Sequence, residues 1–174
     1  MSDTHTDATS AGPDSDEARS LTELIVGSPP IAMVMTIAGS NRTSRPVTIA
    51  EIVGNRLSFL VSRRADWVEA IHQLAATVHV TVSNESHRSY LSMNGSATIS
   101  QDNAAGQRLW SAPAGAWFDG PDDPDLAVLH FDVLEGRYWD GPDGRFGRGL
   151  AMVRAMISGN GSDMGTAGQI DTER

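Results

Sequence analysis

Three arginines are the side chains of this sequence best suited to bind an anion. Arg63 and Arg64 follow Ser62 at a point where a predicted strand ends and a predicted helix begins. At such a junction, unpaired backbone N–H groups, the helix dipole and guanidinium groups can converge on one phosphate. Arg45 would lie close by if its strand pairs with the strand before the junction. The pattern predicts a phosphate cradle; the alternative is that these arginines are solvated or paired with nearby carboxylates.

The amino-acid composition excludes several kinds of catalytic and ligand-binding sites. The chain has no cysteine and no lysine, so all 13 cationic side chains are arginine. This excludes disulfides, thiolate metal sites, a Schiff-base lysine and a Walker-type phosphate loop. A phosphate must therefore be held by arginine, backbone amides or hydroxyls. The net charge of −9 argues against a nucleic-acid partner or an anionic membrane surface.

Catalytic and metal-binding signatures are missing. The sequence has no Gly-x-Ser-x-Gly elbow, no His-Glu-x-x-His and no Gly-x-Gly-x-x-Gly between a strand and a helix. The five histidines lack the spacings that bring two imidazoles to one metal, so we expect them to be structural or at the surface. The acidic stretch 119–125 is expected to be a solvated loop rather than a calcium site. No catalytic side chain and no metal ligand is assigned.

The 174 residues correspond to one domain with two tails. Residues 1–18 are polar and acidic and predict a disordered tail, and 159–174 are glycine-rich and predict a flexible C-terminal tail. The domain is expected over 19–158. No apolar run approaches the ~20 residues of a membrane span, and the start of the chain does not resemble a secretory signal. We therefore expect a cytoplasmic protein without membrane contact.

The hydrophobic pattern predicts a mainly β fold with short helices. Alternating residues indicate six strands, over 31–38, 45–53, 56–62, 77–83, 89–100 and 126–139. Helical spacing indicates segments near 21–25, over 65–76, around 104–110 and over 147–158. Short turns predict that the first three strands form an antiparallel meander, and Gly95 is expected to mark a bend or bulge. Six mostly antiparallel strands favour a closed or split barrel.

Several short motifs follow one another along the chain: Ser44-Arg45-Pro46, Leu57 to Arg63, Tyr90 to Gly95, Ala116 to Leu126 and Tyr138 to Pro142. Their order resembles that of the general stress protein family of the pyridoxamine 5'-phosphate oxidase-like superfamily. The resemblance implies a six-stranded antiparallel split barrel of the FMN-binding type. It also implies a homodimer with the flavin in a groove at the subunit interface.

The resemblance further implies cofactor-binding positions. Arg45 and the backbone at Pro46 and Val47 would approach the flavin, and Val61, Ser62 and Arg63 would line its ring or ribityl-phosphate side. Tyr90 and Trp139 resemble positions that meet the cofactor from the partner chain. An aromatic ring stacked on isoalloxazine is worth about 1 kcal/mol beyond the area it buries. Core packing is the alternative explanation of Trp139.

The sequence departs from the family pattern at the start of the predicted helix. Family members commonly have a serine and a lysine there to hold the phosphate, whereas this chain has Ala65 and Trp67. Arg64 is expected to compensate, because a guanidinium can bind a phosphate through two hydrogen bonds. Two alternatives stay open: the site has lost FMN, or it accepts another flavin, a deazaflavin or haem.

The functional hypothesis is an FMN-dependent oxidoreductase or flavin reductase of low specificity, related to stress. In such a protein the flavin supplies the redox chemistry, which suits a chain without a recognisable acid, base or nucleophile. The alternatives are a flavin carrier without turnover and an interaction domain that has abandoned the cofactor. The lack of lysine for a second phosphate clamp argues against true pyridoxamine phosphate oxidation.

Overall fold

Strands account for most of the structure, a computed structural model that describes residues 20–25, 31–38, 40–74, 77–84, 89–140 and 166–169. The strands are β1 (Ile31–Ala38), β2 (Asn41–Val53), β3 (Arg56–Ser62), β4 (Thr77–Asn84), β5 (Ser89–Ser100), β6 (Leu126–Asp140) and β7 (Thr166–Gln169). The α-helices are α1 (Leu21–Leu24), α2 (Asp66–Leu74) and α3 (Asn103–Leu109), and a 3-10 helix spans Ala112–Ala116. No helix within these residues is long and apolar enough to cross a membrane.

Six strands close into an antiparallel barrel in the order β3-β2-β1-β4-β5-β6, and pairing between β3 and β6 completes the ring. The predicted mainly β barrel and the β1-β2-β3 meander are therefore confirmed. Two strands pair with the same edge of β6. Residues 126–132 of β6 pair with β3, and residues 137–140 pair with β7. This split of β6 leaves the two halves of one strand in different surroundings.

The barrel interior is filled by the alternate apolar residues that the period-two pattern predicts. The largest side chains with almost no exposure include Phe59, Phe131, Leu57, Leu91, Met93 and Leu129. β1 is apolar on both sides, yet only one side, with Ala32, Val34 and Thr36, is buried, whereas Ile31 and Met33 on the other side are 59% and 41% exposed. The outer side of β1 is therefore an apolar surface of the single chain.

Two elements differ from the sequence-based expectation. β2 begins at Asn41 rather than Arg45, because its polar first residues pair with the end of β1 although they do not alternate in hydropathy. β7 lies in a segment whose composition predicted a flexible tail. Backbone hydrogen bonds to β6 form this strand, and such bonds leave little trace in side-chain pattern. The predicted helix over 147–158 and the tail over 1–18 lie outside the described residues.

Gly95 stands where β5 must come unusually close to β6. The register between these strands shifts between Asn94 and Gly95, which is the bulge predicted at this glycine. A Cβ at Gly95 would lie 2.1 Å from the carbonyl oxygen of Asp132 and 2.8 Å from Cζ of Phe131. The neighbouring backbone therefore leaves no room for any side chain at this position.

We expect Gly95→Ala to lower the free energy of unfolding by about 2 kcal/mol or more, because the added methyl group meets backbone that cannot move without breaking the sheet. Urea denaturation followed by circular dichroism measures this loss. Gly115→Ala is the matched control: its nearest neighbour, Cζ2 of Trp110, would lie 4.0 Å from the new Cβ. A loss at Gly95 no larger than at Gly115 would contradict the predicted close approach.

Candidate functional site

Arg45 lies on the inward side of β2, opposite the buried Val34, and its guanidinium already has partners. Nη1 donates a hydrogen bond to Oγ1 of Thr36 at 3.1 Å, and Nη2 donates to Oγ1 of Thr43. Cζ lies 4.5 Å from the centre of the Trp67 ring, within the range of a cation–π contact. Partial burial lowers the pKa of Arg45 from its usual value. Arg45 is thus built into the barrel wall beside α2.

The two residues after Arg45 point to opposite sides of β2. Val47 is half-buried and packs against the barrel core, whereas Pro46 is exposed and pairs in register with Met33 of β1. Of these two predicted contact residues, only Pro46 presents its side chain to the outer surface.

Arg63 and Arg64 share one carboxylate. Nε of Arg64 lies 2.7 Å from Oδ1 of Asp125, and Nε of Arg63 lies 3.9 Å from the same oxygen. The backbone N–H of Arg63 also donates to the carbonyl oxygen of Asp125 at 2.9 Å. The side chains of Arg63 and Arg64 are 42% and 73% exposed, so both guanidiniums remain open to solvent. Two cations on one carboxylate leave one positive charge uncompensated within this triad.

Val61 and Ser62 precede Arg63 and Arg64, which are here called the arginine pair. The two residues have different structural roles. Val61 is 3% exposed and belongs to the core, so only its backbone can approach a ligand. Ser62 is half-buried, and its Oγ accepts a hydrogen bond from the N–H of Arg64 at 3.3 Å. The hydroxyl therefore shapes the turn that presents Arg63 and Arg64.

The start of α2 carries no hydroxyl or carboxylate cap. The carbonyl oxygen of Ala65 accepts hydrogen bonds from the N–H groups of Val68 and Glu69, at 2.8 and 3.1 Å, so Ala65 occupies the capping position with a methyl side chain. Asp66 adds a negative charge to the first turn. Trp67 contacts Arg45 and so brings that arginine beside the start of the helix. β3 ends at Ser62 and α2 begins at Asp66, and Arg45 has partners different from those of Arg63 and Arg64.

Tyr90 and Trp139 form an aromatic pair on the outer surface. They are register partners across β5 and β6, on the side opposite the core residues Leu91 and Tyr138. Their exposed fractions are 51% and 43%. Two half-exposed rings on one sheet face provide a flat apolar surface for a planar ligand.

The aromatic pair and the arginine pair lie at opposite ends of β6. Asp125, which binds Arg63 and Arg64, directly precedes the first residue of β6, whereas Trp139 is its second-last residue. At about 3.3 Å per residue, the strand between them measures roughly 40 Å along its path. This distance is more than one flavin spans, so the two groups are separate features of a protomer.

Sequence reasoning missed a row of hydrogen bonds near the aromatic pair, here called the outer polar chain: Ser92, His79, Asn94 and Glu135. Oγ of Ser92 lies 3.3 Å from Nε2 of His79, and Nδ1 of His79 lies 2.6 Å from Oδ1 of Asn94. Nδ2 of Asn94 donates to Oε1 of Glu135 at 2.7 Å. The register of β4 with β5 places His79 opposite Asn94, two residues from Ser92, and the sequence alone carries no signal for this register.

A second serine–histidine contact lies beneath α3 and is buried. Oγ of Ser58 lies 3.0 Å from Nδ1 of His130, and Ser58 is only 2% exposed. Burial lowers the pKa of His130, and the nearby Arg56 lowers it further, whereas Asp132 and Glu51 act in the opposite direction. Burial is the largest of these effects, so folding favours the neutral imidazole.

Two ion pairs lie next to the Ser58–His130 contact. Arg108 of α3 binds both carboxylate oxygens of Glu51 on β2, and Arg56 binds both carboxylate oxygens of Asp132 on β6. The hydrogen bond from Arg108 lowers the pKa of Glu51, and the hydrogen bond to Asp132 raises the pKa of Arg56. The Arg108–Glu51 pair connects α3 to the barrel wall, and the Arg56–Asp132 pair joins β3 to β6 within that wall. Within the described residues, no group of three or more histidine and acidic side chains could hold a metal ion.

The amino-acid sequence also matches a known protein family. The family described as "Pyridoxamine 5'-phosphate oxidase like" matches residues 16–163. The chain belongs to the pyridoxamine 5'-phosphate oxidase-like family. The match extends over most of the sequence and includes both the arginine pair and the aromatic pair. No curated protein matches the chain.

Solved structures of the same fold include general stress proteins. A candidate general stress protein 26 from Jannaschia sp. CCS1 is 24% identical, with a TM-score of 0.62, over 89% of this chain and 91% of that one. The general stress FMN/FAD binding protein from Xanthomonas citri is 26% identical, with a TM-score of 0.55, over 64% of this chain and 80% of that one. An F420 reductase is 17% identical, with a TM-score of 0.50, over 62% of this chain and 89% of that one.

Because folding lowers the pKa of His130, the unfolded chain binds this proton more readily than the folded one. The associated stability is present above the ordinary histidine pKa of 6.5 and is lost as the pH falls through the lower folded value. We expect the free energy of unfolding, measured by urea denaturation, to fall between pH 7 and pH 5, by at most about 1.4 kcal/mol per pH unit from this residue.

His130→Gln should reduce this dependence because the variant has no titrating group at the position. His72→Gln, on the exposed side of α2, is the control and should keep the wild-type slope. Identical slopes in wild type and His130→Gln would rule out His130 as the source.

Proposed function

We propose that the protein binds a flavin, with FMN as the expected form, and acts as a flavin-dependent oxidoreductase of low substrate specificity. The observation that carries the proposal is the exposed aromatic pair Tyr90 and Trp139 in a chain that also presents the exposed Arg63 and Arg64. A planar ring system with an anionic tail has the chemistry that these two groups match. The 26% identity to a protein named for FMN/FAD binding supports the same conclusion.

The aromatic pair fits the ring of the cofactor. Burial of a half-exposed tyrosine and tryptophan by isoalloxazine removes apolar surface from water, at about 25 cal/mol per Å², and stacking adds about 1 kcal/mol. Tyr90 and Trp139 stand side by side in register, so both can contribute to one ring system. In this assignment they hold and orient the cofactor, and the cofactor supplies hydride and electron transfer when bound.

The arginine pair fits the phosphate. Phosphate carries nearly two negative charges, and a guanidinium binds it through paired hydrogen bonds. Asp125 already occupies part of this capacity, since it lies 2.7 Å from Arg64. The 3.9 Å separation of Arg63 from Asp125 makes Arg63 the freer of the two. We assign Arg63 and Arg64 to the phosphate and Asp125 to keeping both guanidiniums at the junction.

The proposed site needs two copies of the chain. The arginine pair and the aromatic pair lie at opposite ends of β6, so a flavin that contacts both would take the phosphate site from one protomer and the aromatic pair from its partner. The exposed apolar side chains Ile31 and Met33 supply a surface that a second copy would cover. We therefore include a homodimer, with flavin at the subunit interface, in the proposal.

A second candidate function is an interaction domain without cofactor. The observation that favours it is the ion pairing of Arg63 and Arg64 with Asp125, which compensates one of the two positive charges, together with Ala65 in place of a capping hydroxyl. Absorbance of the purified protein and mass spectrometry of ligand released on denaturation separate the two functions. Consumption of NADH or NADPH with a generic acceptor then separates an oxidoreductase from a flavin carrier.

Arg63→Ala combined with Arg64→Ala should raise the dissociation constant for FMN at least tenfold, equivalent to about 1.4 kcal/mol, because the phosphate loses both cationic partners. Quenching of flavin fluorescence on titration measures this constant. Arg42→Ala, which removes one exposed arginine from β2, is the control for loss of a positive charge elsewhere on the surface and should leave the constant unchanged. An unaltered constant in the double variant would refute the phosphate assignment.

Met33→Glu should weaken the dimer at least tenfold, about 1.4 kcal/mol, because it places a charge in the apolar surface that the second copy would cover. Light scattering coupled to size-exclusion chromatography over a dilution series gives the monomer–dimer equilibrium. Val53→Glu is the control, since Val53 is 62% exposed on β2 next to the turn into β3. Equal dilution behaviour of both variants and wild type would argue against this surface.

A further inference from the structure

Arg137 lies next to the aromatic pair on the outer face of the sheet. It stands two residues before Trp139 on β6, so both side chains project from the same face, with Cα atoms about 7 Å apart along the strand. Its register partner on β5 is Ser92, which stands two residues after Tyr90. These four residues form a block of two rows, with Tyr90 opposite Trp139 and Ser92 opposite Arg137.

Arg137 is exposed and has no side-chain partner among the described residues. Glu135, two residues away on the same face, already accepts a hydrogen bond from Nδ2 of Asn94 at 2.7 Å. The N–H donors of the Arg137 guanidinium are therefore still available. Five other arginines of the described part of the chain each contact a carboxylate, a hydroxyl group or an aromatic ring: Arg45, Arg56, Arg63, Arg64 and Arg108.

An arginine without a partner is ordinary on a surface that stays in water, but the proposed dimer would cover this surface. The row of Ser92 and Arg137 continues across β4 to Met33 of β1, which belongs to the apolar surface between the two copies. Covering a guanidinium removes its hydration, which is strongly unfavourable unless the group gains a hydrogen-bonding partner. In the assembled site Arg137 therefore requires an acceptor, and a flavin ring stacked on the aromatic pair supplies one.

A flavin ring and the four-residue block are both polar on one side and apolar on the other. The pyrimidine edge of the ring carries two carbonyl oxygens and ring nitrogens, whereas the opposite dimethylbenzene edge carries no polar atom. In the block, Tyr90 and Trp139 form the aromatic row, and Ser92 and Arg137 form the polar row. A ring whose pyrimidine edge faces the polar row gives the guanidinium an acceptor and keeps its own carbonyl oxygens hydrogen-bonded.

We propose that Arg137 binds the pyrimidine edge of the flavin ring and stabilises the negative charge that the ring gains on reduction. This inference rests on the proposed flavin function. A hydride donor such as a reduced nicotinamide transfers two electrons and one proton to the neutral ring, which becomes a monoanion, while the donor is oxidised. The added charge is shared by N1 and the adjacent carbonyl of the pyrimidine edge. A guanidinium beside this edge therefore favours the reduced form over the oxidised form, and Arg137 itself exchanges no proton.

The test measures the reduction potential of FMN bound to the full-length protein. Arg137→Gln keeps a polar side chain but removes its charge. We expect the potential of bound FMN to fall by about 30 mV, which for a two-electron couple is a tenfold loss of the preference for the reduced form. Anaerobic reduction beside a redox dye of known potential, followed by absorbance, gives this value.

Two further variants separate the charge of Arg137 from other effects. Arg137→Lys keeps the positive charge and should keep the potential close to that of the wild type. Arg42 is the other exposed arginine without a partner in the described part of the chain, and its strand pairs with neither β5 nor β6. Arg42→Gln is therefore the matched control and should leave the potential unchanged. Circular dichroism and light scattering confirm the fold and the dimer of each variant.

Three outcomes would overturn this inference while the proposed flavin function stands. The first is an equal potential of bound FMN in wild type and Arg137→Gln. The second is an equal fall in Arg137→Gln and Arg42→Gln, which would show a general effect of surface charge. The third is loss of the FMN-free dimer in Arg137→Gln, because the guanidinium would then bind the second copy. If the wild type binds FMN in neither redox state, the proposed function fails and the role of Arg137 fails with it.

Discussion

The pairing of β3 with the first half of β6 is the interaction on which the rest of the structure depends. It joins the two ends of a six-stranded sheet and so removes both free edges, which would otherwise expose unpaired backbone groups. Closure also creates the interior that buries Phe59 and Phe131, because only a closed sheet has a fully enclosed face. Gly95 contributes to this closure, because the bulge at that residue lets β5 stay paired with β6 around the barrel.

Because β6 is long, it keeps the arginine pair and the aromatic pair in two separate regions of the molecule. The strand begins beside Asp125 and the arginine pair and ends at the aromatic pair. Each region has half of what a flavin requires: charge for the phosphate at one end and an apolar platform for the ring at the other. This separation is the physical reason for proposing that two protomers build one site, and the apolar outer side of β1 is the surface proposed to lie between them.

Cross-strand register generates the remaining polar features. The outer polar chain and the buried Ser58–His130 contact each join residues far apart in sequence but adjacent across paired strands. The two differ in exposure because α3 packs over the region around His130, whereas no described element covers Ser92. The same pair of residue types therefore lies in the packed wall in one place and on the outer face of the sheet in the other.

The sequence by itself determined the strand pattern, the junction of Ser62 with the arginine pair and the absence of lysine and cysteine chemistry, because hydropathy period and residue type are local properties. It also identified Tyr90 and Trp139 through resemblance, but not that they face each other. Tertiary structure decided the partners: Arg45 with Trp67, Arg63 and Arg64 with Asp125, and His79 with Ser92. These contacts depend on strand register and on barrel closure, which are set by pairing between distant segments and so leave no periodic signal in the chain.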